Sequence, residues 1–509
     1  MRDTRSKETM TYETMKPDAA LAKVPTDLFI GGRWVSPGTG QTLAVENPAT
    51  GDVIAEIADG GLADMAAALD AAAAAQRDWA RTAPRTRSDI LRRAYTLMLE
   101  RSDYLATLTT LEMGKPYAQA QAEVTYAAEY LRWYSEEAVR IGGRYTVTES
   151  GVGRIVTMAQ PVGPCLFVTP WNFPLAMGTR KIGPALAAGC TCIVKPAKQT
   201  PLSMLATASI LEEAGVPAGV VNIVPSSDST RVVAAAMNDP RLRKISFTGS
   251  TEVGQSLVRQ SADQLLRVSL ELGGNAPFIV FDDADVGSAV DAAVQAKLRN
   301  NGEACTSANR LYVHSSIAGD FAAELAERFS ALTIGPGMDP GTDIGPLIDD
   351  KQRRQVQRLV DDAVAKGARV VTGGNPLDRP GCFFAPTVLT EVPGDALLMQ
   401  EEIFGPVAPI ISFDDEPAVL ESANSSRYGL AAYVFTRDLD RAIRVAEQLD
   451  SGMVAINQGT VSNPAAPFGG VKHSGYGREG GPEGLAEYLE TKYVALGAGT
   501  APTSTGGMA

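Results

Sequence analysis

At 509 residues the chain has room for roughly three domains on a ~150-residue prior, and a composition of 45% apolar and 21% charged residues is that of a globular α/β enzyme. The net charge of −13 leaves no surplus of cations to release phosphate counterions, which argues against nucleic-acid or anionic-membrane partners. Five scattered cysteines and two histidines argue against a disulfide framework, a structural metal site and a Cys-His triad, so no metal is expected and an activated nucleophile must use another base.

Residues 1–27 begin polar, lack an apolar signal core and are expected to form a mobile N-terminal arm. No stretch is apolar and long enough to span a bilayer, and a cytoplasmic location is expected. Leu28 to Val35 alternates as a hairpin, Ala63 to Ala80 is alanine-rich and helical, and Ser88 is placed to cap the next helix. That helix carries Ile90, Leu91, Ala94, Leu97 and Met98 on one face, and helical pattern continues to about Arg140. Gly142 to Pro161 predicts two strands around a glycine turn. Then CLFVTP, CTCIVKP, VVNIVP and KISFTG follow, apolar runs ending in breakers with helical spacing between them, the pattern of a parallel sheet covered by helices. A second α/β segment runs from about Pro277 past Gly452, and residues 498–509 are small and polar, the composition of a disordered tail.

Four places in this chain carry chemistry. Cys305 lies in NNGEACTSANR, a polar, small-residue setting unlike the apolar ground of Cys190 and Cys192, and it is read as an accessible thiol; the other cysteines are read as buried hydrophobes. In RVSLELGGNAP, Val268, Leu270 and Leu272 face one side of a strand while Ser269 and Glu271 face the other. A glutamate there is ordinarily solvated, but beside a cysteine nucleophile it is a candidate base for water. PWNFP holds Asn172 between Pro170 and Pro174, so its amide is fixed well enough to donate to an oxyanion, although Asn and Pro are also common turn residues. In KISFTGSTEVG a strand turns at Gly249 and Ser250 into a helix whose N-terminus can receive a pyrophosphate; alone, such a turn is weak evidence.

Taken together, these motifs resemble the aldehyde dehydrogenase superfamily from about Leu28 to Leu496. The resemblance implies Cys305 as nucleophile, Glu271 as general base and Asn172 as oxyanion donor. It also implies contacts to NADP or NAD from Trp171, Lys195, Gly249, Ser250, Glu402 and Phe404. Lys198 stands where many NAD-preferring relatives have an acidic residue, which favours a 2′-phosphate and hence NADP. Within the superfamily the chain is most similar to succinate-semialdehyde dehydrogenases, through RKIGPALAAGC, LRNNGEAC and PFGGVKHSGYGREG, and Arg180, Arg299 and Ser462 match the residues that hold the substrate's distal carboxylate. Glutarate semialdehyde or another ω-carboxylated aldehyde is the close alternative, a CoA-acylating reaction a weaker one, and a catalytically silent protein of the same fold is opposed by the retention of Cys305, Glu271 and Asn172. Ser307 stands where some relatives carry a second cysteine, so a redox disulfide at the nucleophile is not expected. The implied fold is an α/β aldehyde dehydrogenase-like one. Its Rossmann-type cofactor domain would comprise 28–141 and 162–276, its α/β catalytic domain 277–476, and its β oligomerisation arm 142–161 and 477–497, giving a homodimer or homotetramer.

Overall fold

The computed structural model describes residues 15–497, so residues 1–14 of the expected arm and the expected tail, 498–509, lie outside the described residues. The rest of that arm departs from expectation: Pro17–Leu21 forms a short helix with Ala20 buried, and the Thr107 hydroxyl donates to the Met15 carbonyl. The hairpin forms as Leu28–Ile30 paired with Arg33–Val35, turned by Gly31 and Gly32 with φ of 61° and 74°. Ser88 does not cap its helix. Proline prefers the first helical turn, where its missing N–H costs nothing, so the helix begins at Pro84 and Ser88 falls inside Pro84–Glu100.

The four apolar runs become parallel, buried strands of an eight-stranded sheet. Its central order is Val221–Ile223, Cys192–Lys195, Cys165–Val168, Lys244–Thr248, Arg267–Glu271, with the hairpin on one edge and Gly475–Tyr476 antiparallel on the other. The chain winds outward from Cys165–Val168 through two strands, then returns to add Lys244–Thr248 on its other side. That reversal opens a crevice at the carboxyl ends of the two adjacent strands, where α/β sheets bind ligands. The segments leaving those ends are the ones holding Asn172 and Gly249.

A second, seven-stranded sheet takes all its strands from Ala276 to Ile456, in the order Arg369–Thr372, Thr387–Thr390, Val407–Phe413, Ala308–His314, Ala276–Val280, Ala431–Phe435, Met453–Ile456. Only its first pair is antiparallel. A third sheet joins Arg144–Val147, Arg154–Pro161 and Leu489–Leu496, all antiparallel, with Tyr145 and Tyr493 more than half exposed. Among the described residues no helix is long and apolar enough to cross a membrane, and no group of three or more His, Cys, Asp or Glu side chains is placed to hold a metal ion.

Candidate active site

A cavity of about 250 Å3 lies at the crevice, and Trp171, Asn172, Gly249, Ser250, Glu271, Cys305, Glu402 and Phe404 all line it. Residues as far apart in sequence as 171 and 404 meet there, some on segments leaving the eight-stranded sheet and others from between the strands of the seven-stranded one.

Cys305 follows a tight loop. Asn300 and Asn301 adopt φ of 57° and 58°, values that asparagine tolerates best among residues with a Cβ. Two glycines let backbone close in behind the nucleophile: a Cβ on Gly302 would stand 2.4 Å from the Gly405 carbonyl carbon, and one on Gly274 would stand 2.3 Å from the Cys305 carbonyl oxygen. Burial pushes the Cys305 thiol up to about 12, an effect opposed by Arg180 and Arg299 and reinforced by the Glu402 and Glu271 carboxyls. Ser307, two residues on, is buried and donates its hydroxyl to the Lys297 carbonyl at 3.3 Å.

Asn172 is buried, and one hydrogen of its amide is fixed by a 3.0 Å bond to the Glu303 carbonyl, two residues before the nucleophile. The second amide hydrogen remains for a ligand in the cavity. Its own carbonyl accepts from Lys115 Nζ at 2.8 Å and from Asn300 Nδ2 at 3.0 Å. Asn172 is thereby tied to the loop that carries Cys305.

Glu271 ends the strand Arg267–Glu271, with Leu270 turned into the core as the alternation requires. The polar face is not solvated: Glu271 is 2% exposed, and neither carboxylate oxygen has a hydrogen-bond partner among the described residues. Burial first, then repulsion by Glu479, raises its pKa well above the usual carboxylate range, against the pull of Arg180 and Lys181. A buried carboxyl with vacant oxygens and a raised pKa is suited to taking a proton from water.

Of the residues expected to hold the cofactor, Trp171, Gly249, Ser250, Glu402 and Phe404 line the cavity. Ser250 caps the helix Thr251–Ser261, its hydroxyl accepting from Val253 N–H, so the positive end of that helix opens beside Gly249. Glu402 is held by the Gly274 N–H at 3.1 Å and raised to about 8 by burial. A Cβ on Gly273 would stand 2.8 Å from the Glu402 carboxylate. Phe404, at φ 52°, stacks edge-on against Trp171 with ring centres 5.3 Å apart. Lys195 and Lys198 do not line this cavity. Lys195 closes its strand, buried, and burial followed by the charge of Lys198 brings its pKa down to about 8, while Lys198 is exposed. An open helix terminus, an anchored carboxylate and two neighbouring lysines fit a dinucleotide that carries a 2′-phosphate.

The three expected carboxylate-binding residues are placed differently from one another. Arg299 and Ser462 line one cavity of about 510 Å3, where the Arg299 guanidinium lies 5.0 Å from the Phe173 ring centre and 5.6 Å from that of Tyr126. Arg180 lines neither cavity. It is 1% exposed, pairs through Nε with Glu479, and lies 3.9 Å from the Phe468 ring centre, while its Nη2 has no hydrogen-bond partner. The hydroxyls of Tyr126 and Tyr130 bond at 2.7 Å, and Arg180 lies over Tyr130 as Arg299 does over Tyr126.

Several residues of the site escaped the sequence reading. Glu479 pairs with both Arg180 and Lys181, and the Lys181 ammonium also donates to Ser246 and Thr248 hydroxyls at 3.1 and 2.7 Å. The signal available was two adjacent cations within the otherwise apolar run of Ala176–Ala188, a helix buried along its whole length. Such charges require a partner, but 298 residues separate Lys181 from Glu479. Lys115 and Glu123, a buried pair beneath Asn172, were likewise not singled out.

A model of the aldehyde dehydrogenase family matches residues 34–494. The chain is 54% identical to a succinate-semialdehyde dehydrogenase of Paenarthrobacter nicotinovorans, over 87% of this chain and 99% of that protein. It is 48% identical to a glutarate-semialdehyde dehydrogenase of Pseudomonas aeruginosa, over 92% and 97% of the two chains. A crystal structure of an NADP-dependent enzyme from E. coli superposes with a TM-score of 0.92 at 48% identity, covering 93% of this chain and 98% of the other.

Proposed function

Because the chain belongs to the aldehyde dehydrogenase family, we propose that it oxidises succinate semialdehyde to succinate, with NADP preferred over NAD. The observation that carries this reading is a nucleophile, an oxyanion donor and a buried carboxyl around one cavity, with an arginine and a serine together in a neighbouring one. When bound, the nicotinamide cofactor supplies the acceptor for the aldehyde hydride; Gly249 and Ser250 would hold its pyrophosphate, Glu402 its ribose and Lys198 its 2′-phosphate.

The chain's own residues do the rest. The Cys305 thiolate attacks the aldehyde carbon, and the free Asn172 amide hydrogen meets the oxygen as it becomes negative. After oxidation the substrate is a thioester on Cys305. Glu271 takes a proton from water, the hydroxide attacks the acyl carbon, and the acid leaves with the thiolate restored. Arg299 and Ser462 would receive the distal carboxylate, with the vacant Nη2 of Arg180 as a further donor.

Glutarate semialdehyde, one methylene longer, is the second reading, favoured by the similarity to the Pseudomonas enzyme. Steady-state NAD(P)H formation from both semialdehydes with both cofactors tests the proposal; equal rates with an uncharged aldehyde would overturn it. The open three-stranded sheet, with Tyr145, Val147 and Tyr493 exposed, supports assembly as a homodimer or homotetramer.

A further inference from the structure

We propose that Lys115, held by Glu123, is the positioning residue for the oxyanion donor Asn172. Lys115 is 1% exposed, and among the described residues its ammonium donates to two oxygens, Glu123 Oε2 and the Asn172 backbone carbonyl, the latter at 2.8 Å. The other oxygen of Glu123 accepts from the N–H groups of Leu175 and Ala176, at 2.9 and 3.2 Å, just as the helix Ala176–Ala188 begins. One buried ion pair therefore grips both ends of the segment 172–176. It sets Asn172 at one end and starts the helix bearing Arg180 at the other.

Lys115 has little freedom of its own. Gly114, at φ 91°, ends the helix Ser102–Met113, and Pro116 precedes the helix Tyr117–Glu137, so Lys115 is the middle of a three-residue link between two helices. Gly337 packs on it from behind, since a Cβ there would stand 2.3 Å from the Lys115 carbonyl oxygen. The ammonium also lies 4.2 Å from the Phe173 ring centre, an attractive placement for a cation. A carbonyl held by a charged donor on a short turn fixes the backbone of Asn172, from which the amide side chain, itself bonded to the Glu303 carbonyl, projects. Burying two charges is costly, and here both are directed at backbone groups at the ends of one segment. What the pair provides is a strong, directed hydrogen bond to a backbone oxygen of the residue that must stabilise a developing anion.

This inference rests on the reading of Asn172 as oxyanion donor, and the test separates the two. Three reactions of Cys305 are measured without cofactor or with it: acylation by 4-nitrophenyl acetate, which passes through an oxyanion; alkylation by iodoacetamide, which does not; and oxidation of succinate semialdehyde. The variant Lys115→Met/Glu123→Gln leaves no unpaired buried charge and keeps an oxygen for Leu175 and Ala176, but removes the charged donor to the Asn172 carbonyl and leaves only the neutral one from Asn300. Acylation and kcat should fall at least about tenfold, with KM and the alkylation rate within about twofold of the parent. Lys115→Gln/Glu123→Gln has the same charge and retains an N–H donor, and should recover most of the loss. If the Met variant does not fold, Lys115→Ala/Glu123→Gln removes the same donor with a smaller side chain. Unchanged acylation in the variants lacking the charged donor, or alkylation falling in parallel with acylation, would overturn the proposal. Asn172→Ala serves as the reference. If it too leaves acylation unchanged, the oxyanion reading itself has failed; if it alone slows acylation, only the role of Lys115 has.

Discussion

Arg299 and Arg180 match one family pattern, yet the structure assigns them different energetics. Arg299→Met keeps the length and apolar contact against Phe173 and Tyr126 but removes the donors from the cavity it shares with Ser462. A hydrogen bond to a charged group contributes about 1.5–3 kcal/mol, and each ~1.4 kcal/mol is tenfold, so kcat/KM for succinate semialdehyde should fall roughly ten- to hundredfold. Butanal, of equal length but uncharged, should be oxidised within about threefold of the parent rate, because it never used those donors. None of the ion pairs among the described residues involves Arg299, and its loss should leave Tm nearly unchanged. Arg180 is buried against Glu479, so Arg180→Met leaves that carboxylate with Lys181 alone, at a cost towards ~3 kcal/mol that shows as a lowered Tm. Arg180→Met/Glu479→Gln should restore much of it. Steady-state kinetics with both aldehydes and thermal melts of the three variants check this. Equal losses for succinate semialdehyde and butanal in Arg299→Met would refute a carboxylate site, and an unaltered Tm in Arg180→Met would refute the buried pair.

The Cys305 thiol, pushed up to about 12 by burial, should be alkylated by iodoacetamide at a rate rising log-linearly with pH from about 6 to 10; a plateau near pH 8 would contradict that environment. Arg299→Met, removing a cation that favours the thiolate, should lower that rate at every pH. Glu271→Gln should retain a single-turnover burst of NADPH while steady-state turnover falls at least about a hundredfold, since attack by the thiolate does not need the base but hydrolysis does; rapid-mixing absorbance separates the phases. In the parent, the raised pKa of Glu271 makes the hydrolytic step speed up as pH rises and the carboxyl ionises. Lys198→Glu should raise KM for NADP about tenfold or more while leaving that for NAD little changed, read from cofactor titrations.

Local chemistry carried much of this fold into view. Apolar runs ending in breakers became the parallel strands, and Leu270 and Glu271 point to opposite faces as alternation demands. Where two local signals competed, the choice went astray: Ser88 is a good cap, but Pro84 fixes an earlier start. That Cys305, Glu271 and Asn172 would share one cavity was legible because each sits in a short motif of its own. The electrostatics were not. Glu271 owes its raised pKa first to burial and then to Glu479, over two hundred residues away, and a strand's polar face gave no sign that other elements would bury it. Lys115 and Glu123 were hidden for a related reason: their target is a backbone carbonyl, which any residue possesses.

Ser307 has a consequence for how this protein ages. A Cys305 oxidised by peroxide becomes a sulfenic acid, and a thiol two residues along could trap it as a disulfide that a cellular reductant reverses. Here that position offers a buried hydroxyl already donated to the Lys297 carbonyl, which cannot form such a bond. The route left along this loop is further oxidation to the sulfinic acid, which is not readily undone. Under peroxide with no external thiol present, activity should then be lost without an internal disulfide as a recoverable stage, and protection should come from occupancy of the cavity by substrate.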